Sequence, residues 1–260
     1  MSVLRTMYDA AMPARSLLAK SHLLIRRNGM TGAYPDRSLA MSAVPRNAVA
    51  GYNHEDVVHV SLDKMQDTKE WDYPVLLWLE RLAKGSEGRR LRLLDAGGHT
   101  GTKFVAFSRK IDLTNFDWIV WDLPPMVAAG RKHAAEQGLP ITFTSNIADT
   151  GDADVMMCSG LLQYLDIEFA ELVRSLPSLP KTIILNKVAT RDGPSVVTLE
   201  RIGPAYVPYN VRSAAAFLEE IAGLGYDIVD SWTIDALSHG IVSHPELGRS
   251  VSRGYVLQKT

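Results

Sequence analysis

The chain has 260 residues, 46% of them hydrophobic and 22% charged, which is ample for a sizeable core under an ordinary surface. A formal net charge of −1 gives no support to a nucleic-acid binder, and the one cysteine, Cys158, excludes an internal disulfide and fits a reducing, cytoplasmic setting. No apolar run reaches the roughly 18–20 residues that a membrane span requires.

Charge is uneven along the chain, because residues 1–50 carry seven Lys/Arg against two acids. Within them Ala10–Met30 is acid-free and contains Arg and Ser, which reads either as a transit peptide or as an amphipathic helix with a basic face. Helical patterns at Leu17–Arg26, His54–Gln66 and Pro74–Leu82 predict a helical N-terminal cap or arm over residues 1–84, a place where two copies could pair as a homodimer. The polar hinge Lys84–Gly88 leads into a second domain over residues 85–260.

From Leu91 onward apolar runs alternate with helical patterns, which predicts βαβ units and a mostly parallel sheet. The runs are Leu91–Asp95, Trp118–Asp122, Ile141–Thr144, Val155–Cys158 and Thr182–Leu185. Helices are expected at about Gly101–Lys110, after Pro124 as far as Gln137, and at Ile167–Leu176. A Gly-, Pro- and Tyr-rich loop is expected over Arg191–Val211, then a helix Ala214–Leu224 capped by Ser213 and Gly225. The runs Tyr226–Val229 and Gly254–Leu257 complete the sheet, and periodicity leaves the direction of the last strand open.

The turn Asp95-Ala96-Gly97-Gly98-His99-Thr100-Gly101 follows the first buried strand. Ligands of open α/β sheets bind outside the carboxyl ends of strands, and glycines there permit close backbone approach. The alternative is a tight strand-to-helix connection with no ligand. Asp122, twenty-one residues after Gly101, ends the second strand, where a carboxylate can accept hydrogen bonds from both ribose hydroxyls of an adenosine; a helix cap is its other reading. Asp95 would repel a pyrophosphate but suits S-adenosylmethionine, which has no phosphate and carries an ammonium and a sulfonium. Ala96 replaces the first glycine of a dinucleotide fingerprint, and no triphosphate-binding loop occurs.

These residues resemble a known family. Leu94–Gly101 is similar to the first motif of class I SAM-dependent methyltransferases, and Trp118–Pro124 to their second. Cys158-Ser159-Gly160-Leu161-Leu162-Gln163-Tyr164-Leu165, with Phe217–Glu220, Gly225-Tyr226 and Trp232, resembles a bacterial methyltransferase group found with polysaccharide and secondary-metabolite genes. Gly51-Tyr52-Asn53 resembles that group's Gly-Tyr-Asp motif, with Asn53 in place of Asp. The resemblance implies a Rossmann-like, seven-stranded, mostly parallel sheet with an N-terminal helical extension. It carries S-adenosylmethionine binding to Asp95, Gly97, Gly98, Gly101 and Asp122, and adenine contact to Asn146. It places Ser159, Gly160, Gln163 and Tyr164 beside the methionine end and the reacting centre.

Methyl transfer is an in-line displacement, dominated by alignment and the exclusion of water. Candidate catalytic residues are Tyr164, Gln163 and Ser159, with Tyr52, Tyr73, Tyr206 and Tyr209 as further polar groups. The seven histidines are scattered without a ligand pair, so no metal site is expected. His99 reads as a carboxylate contact or a solvated loop residue, and Cys158 as a small core residue. The same group is similar to enzymes that cyclise S-adenosylmethionine to azetidine-2-carboxylate and methylthioadenosine. Three readings follow: a methyltransferase acting on a small molecule or sugar, a SAM cyclase, and a non-catalytic SAM-binding subunit.

Overall fold

The computed structural model describes residue 16 and residues 30–46, 49–50, 66–202 and 205–260. The expected helix Leu17–Arg26, nearly all of His54–Gln66, and the Gly51-Tyr52-Asn53 motif lie outside the described residues. In chain order the strands and helices are β1 (Met30–Tyr34), α1 (Arg37–Ser42), β2 (Val49–Ala50), α2 (Tyr73–Gly85), β3 (Leu91–Ala96), α3 (Thr102–Ser108), β4 (Phe116–Trp121), α4 (Pro124–Gln137), β5 (Ile141–Thr144), β6 (Val155–Ser159), α5 (Phe169–Arg174), β7 (Thr182–Arg191), β8 (Val196–Ile202), β9 (Ala205–Ser213), α6 (Ala214–Gly223), β10 (Tyr226–Ile234) and β11 (Val251–Lys259). Among the described residues no helix is long and apolar enough to cross a membrane.

The chain forms two compact units. The larger comprises Asn53–Val188, Leu218–Ile234 and Arg253–Thr260; the other comprises Met1–Tyr52, Ala189–Phe217 and Asp235–Ser252. The boundary expected at residue 84 falls inside the larger unit.

In the larger unit the described strands run in the order β5-β4-β3-β6-β7-β11-β10. The pairs β5–β4, β4–β3, β3–β6 and β6–β7 are parallel. Backbone bonds from Lys259 N to Lys181 O and from Thr260 N to Gly225 O bring the end of β11 to the starts of β7 and β10, so β11 is antiparallel to both. The central strands are buried on both faces, as the continuous apolar runs Leu91–Asp95 and Val155–Cys158 require. Helix α4 starts on Pro124 and Pro125 and ends at Gly138, whose φ of +63° is left-handed. Gly130 within it leaves room for the Phe143 ring.

Helix α2, read from sequence as part of the N-terminal arm, packs on this sheet. Its Val75, Leu76 and Leu79 join Leu91, Leu93, Phe104 and Trp118 in one core cluster. Phe104 meets Trp118 edge-on, with ring centroids 5.5 Å apart at 79°. Burying a leucine such as Leu79 contributes roughly 1.5–3 kcal/mol.

The other unit corrects two expectations. Arg191–Val211 is not a loop: β8 and β9 form an antiparallel hairpin paired from Val196–Val211 to Ile202–Ala205, and β1 adds antiparallel to β8. Val196–Ile202 carries strand residues and β-branched side chains, but Pro208 inside β9 resembles a break. Pro208 lies between the β2 pairing at Ala205–Tyr206 and the β7 pairing at Arg212–Ser213. There that edge of β9 has no strand partner among the described residues, a position where proline is tolerated. The N-terminal part is also not wholly helical, since β1 and β2 lie within it. Ala40 of α1 packs with Val197, Leu199 and Tyr206.

Candidate active site at the carboxyl edge of the parallel sheet

The turn after β3 is held by its own backbone. Gly97 N donates to Trp121 O at 2.8 Å and Gly101 N to Gly98 O at 3.0 Å. Gly97 and Gly101 have φ of +71° and +81°, conformations that favour glycine. A Cβ on Gly98 would stand 2.5 Å from Asp95 Oδ2 and 3.1 Å from Asp95 O, so the carboxylate lies directly against the turn.

Asp95 is 1% exposed. Trp118 Nε1 donates to its Oδ2 at 3.2 Å. Burial pushes the Asp95 carboxyl up to about 7, against the Trp118 hydrogen bond; the Asp122 charge adds to the rise, and Lys103 and Lys187 oppose it.

Asp122 follows β4 directly. His99 N donates to its Oδ2 at 2.8 Å and Leu123 N to its Oδ1 at 2.7 Å. Burial raises its carboxyl above the ordinary value, opposed by these two hydrogen bonds. Leu123, rather than Asp122, occupies the N-cap position of α4. His99 bridges the two acids: it follows Gly98, which covers Asp95, and its N–H binds Asp122. It has φ of +56° and is only 5% exposed, so it is not a solvated loop residue.

The structure thus joins Asp95, Gly97, Gly98, Gly101 and Asp122 in one place. Asn146 lies past the end of β5, exposed, with its Oδ1 accepting from Ala148 N at 3.2 Å. Ser159 ends β6 in register with Asn186 of β7. Gly160 follows at φ +86°, its N donating to Asn186 O at 3.0 Å. Leu161 connects this edge to the turn, because its Cδ1 stands 2.8 Å from where a Gly97 Cβ would be. Gln163 is 6% exposed. Its Oε1 and the Ser159 Oγ are buried without a hydrogen-bond partner among the described residues. Tyr164 is half-buried in the same short turn, Leu162–Tyr164.

Tyr73 opens α2 at 55% exposure. Tyr206 and Tyr209 are buried strand residues of β9, in the other unit. Burial pushes the Tyr209 hydroxyl well up. Tyr52 lies outside the described residues. Cys158 is fully buried and burial raises its thiol, so it packs rather than reacts.

Sequence reasoning missed a charged cluster beneath the site. Lys103 Nζ meets Asp72 Oδ2 at 2.7 Å, with the two side chains 9% and 0% exposed. Asn186 Nδ2 donates to Asp72 Oδ1 at 3.2 Å, and Trp232 Nε1 to Asn186 Oδ1 at 3.3 Å. Lys187 follows at φ +64°. Burial lowers its amine to about 8; the like charge of Lys103 adds to this, and Asp72 and Asp95 oppose it.

No family model matches the chain, and no curated protein sequence matches it. Solved structures do. A candidate sarcosine dimethylglycine methyltransferase from Galdieria sulphuraria aligns over 72% of this chain and 86% of its own, with 12% identity and a TM-score of 0.50. Magnesium protoporphyrin IX methyltransferase from Synechocystis PCC 6803, with bound SAM, aligns over 78% and 81% at 18% identity and TM-score 0.48. Burkholderia thailandensis 1,6-didemethyltoxoflavin-N1-methyltransferase, with its substrate and S-adenosylhomocysteine, aligns over 71% and 78% at 16% identity and TM-score 0.45. At such identities the likeness is one of fold: the chain has the Rossmann-like fold of class I methyltransferases.

Proposed function

We propose that this chain binds S-adenosylmethionine across the carboxyl ends of β3 and β4 and transfers its methyl group to a small-molecule acceptor in the cytoplasm. The observation that carries the reading is a pair of acids, the buried Asp95 and the half-buried Asp122, bridged by the Gly98-His99 backbone at the mouth of a parallel sheet. The fold shared with the Galdieria sulphuraria methyltransferase supports it.

The residues fit this ligand. Gly98 leaves no space for a side chain between Asp95 and the turn, so a ligand meets bare backbone there. Ser159 Oγ and Gln163 Oε1, without a partner among the described residues, stand at the next strand end to receive a polar group. When bound, S-adenosylmethionine supplies a methyl carbon made electrophilic by its sulfonium. Asp122 would hold the ribose hydroxyls on lone pairs beyond those taken by His99 N and Leu123 N. Asp95 would face positive charge, which favours its ionised form. Ser159, Gly160 and Gln163 would line the methionine end, Asn146 the adenine, and Tyr164 the acceptor side. Residues 1–50 would cap the pocket or pair two copies.

Calorimetry tests the reading: S-adenosylmethionine and S-adenosylhomocysteine should both bind the folded protein, and absence of binding overturns it. Product analysis then defines the reaction. S-adenosylhomocysteine released only with an added acceptor supports methyl transfer, whereas methylthioadenosine from S-adenosylmethionine alone replaces it with cyclisation. Deleting residues 1–50 should abolish turnover; full activity in the truncated protein would remove the cap.

A further inference from the structure

We propose that Lys187 and Gln163 form a carboxylate-binding site over Gly160, where β7 passes the end of β6; the proposal deepens the S-adenosylmethionine reading and rests on it only for the source of the carboxylate. The backbone aims Lys187 there. Strand β7 stays in register with β6 as far as Asn186 opposite Ser159, and Lys187 then turns to φ +64°. A left-handed residue other than glycine costs on the order of 1–2 kcal/mol and persists where its surroundings hold it. Here Gly160 N, bonded to Asn186 O at 3.0 Å, fixes the preceding peptide.

The Lys187 side chain lies along Gly160. Its Cδ and Nζ stand 3.5 and 3.9 Å from the point where a Gly160 Cβ would be, and Gln163 Nε2 stands 3.5 Å from that point. An ammonium and an amide donor therefore flank one spot. Gln163 is nine-tenths buried or more, so its Nε2 donor is held at this spot. Ser159 Oγ, one residue before Gly160, is a hydroxyl that can donate; it is buried and has no partner among the described residues.

Among the described residues Lys187 makes no hydrogen bond or ion pair. The charged groups that act on it are Asp72, Asp95 and Lys103. Asp72 is already taken: Lys103 Nζ at 2.7 Å and Lys69 N at 3.0 Å occupy Oδ2, and Asn186 Nδ2 at 3.2 Å occupies Oδ1. Asp95 Oδ2 is taken by Trp118 Nε1. A desolvated ammonium without a partner is costly, and a carboxylate seated between Lys187 and Gln163 supplies both the opposite charge and the acceptor oxygens. The carboxylate is either the methionine carboxylate of S-adenosylmethionine or one carried by the acceptor.

The test is calorimetry at pH 7 on the full chain, wild type against Lys187→Met, Lys187→Arg and Gln163→Glu, each first shown to unfold cooperatively. The probes are S-adenosylhomocysteine, methylthioadenosine, which lacks the carboxylate, and benzoate, titrated with and without S-adenosylhomocysteine. If the methionine carboxylate sits here, Lys187→Met weakens S-adenosylhomocysteine roughly 10- to 100-fold and leaves methylthioadenosine unchanged, and Lys187→Arg restores most of the loss. If the site serves the acceptor, both adenosyl probes bind Lys187→Met normally, while benzoate binds wild type and is lost from Lys187→Met and Gln163→Glu. In either arm the dependent affinity falls as pH rises through about 8, where the folded lysine loses its proton, and stays level in Lys187→Arg. Equal losses for methylthioadenosine and S-adenosylhomocysteine, or no dependence of either carboxylate probe on Lys187, would overturn the site. Failure of methylthioadenosine to bind wild type would instead count against the adenosyl reading, with the benzoate arm still deciding on Lys187.

Discussion

Asp95→Asn should make the ligand-free protein more stable and its stability less dependent on pH. The carboxyl of Asp95 rises from an ordinary 3.8 to about 7 on folding, with burial as the main cause. A group with a raised folded pKa binds protons more tightly in the native state, so between these two values stability falls as pH rises, and above about 7 the loss is complete. At a little over 1 kcal/mol per pH unit, the whole window amounts to about 4 kcal/mol, of which about 1–2 kcal/mol has been lost by pH 5. The asparagine amide keeps the size of the carboxyl, and its oxygen can still accept from Trp118 Nε1. The gap between variant and wild type should therefore widen by about 2–3 kcal/mol from pH 5 to pH 8 and then level off. Urea unfolding of both proteins at half-unit steps from pH 5 to pH 9 measures this. The widening is independent of any constant offset from the substitution. A constant gap across the series, or one that narrows with pH, would refute the account of Asp95 as a charge held against desolvation. The stabilised variant should bind S-adenosylhomocysteine more weakly, because the proposed site sets the Asp95 charge against the ligand's ammonium.

Lys103→Met leaves the fully buried Asp72 without its cation and should cost about 3–5 kcal/mol in urea unfolding, and adding Asp72→Asn should recover part of it. Gly98→Ala puts a Cβ against both the side chain and the backbone of Asp95, so calorimetry should show S-adenosylhomocysteine affinity reduced more than about tenfold. Gly138→Ala is the control: its φ of +63° makes alanine cost about 1 kcal/mol, nothing else crowds the site, and ligand affinity should not change. Cys158 should resist a water-soluble thiol reagent until the chain unfolds, in contrast to a reactive cysteine.

The middle of the sheet was legible in the sequence because its central strands are buried on both faces. Runs such as Trp118–Asp122 and Val155–Cys158 leave little room for another reading, and Pro124 and Gly138 mark the ends of α4. The β8–β9 hairpin was not, because Pro208 carries the local signature of a break while the tertiary position that admits it is non-local. Helix α2 was found, but its burial against Leu91 and Trp118 was not, since periodicity gives a face and not the surface it meets. In the site, Asp95 and Asp122 stood out because each ends an apolar run, Asp95 just before glycines and Asp122 just before prolines. The Asp72–Asn186 bond spans 114 residues and the Lys187 signal is a dihedral angle, and neither leaves a trace in spacing.

What unites the residues at this edge is that they oppose folding. Asp95 and Asp122 hold like charges at reduced solvation, Lys187 holds a desolvated cation without an ion-pair partner among the described residues, and His99 and Lys187 both adopt left-handed backbone. A core selected for stability alone would replace these groups with apolar residues, as it does one layer down at Leu93, Leu94 and Met156. Beyond this edge and the Asp72–Lys103 pair beneath it, the described core of this unit is largely apolar. The concentration of charge and strain at the carboxyl ends of β3, β4 and β6, beside Lys187 of β7, is what a site awaiting a charged ligand requires, because the ligand's charges offset there what the described residues leave unpaired. Ligand binding should then raise stability by more than contact area alone would give, with the gain shrinking in Asp95→Asn and in Lys187→Met for the same electrostatic reason.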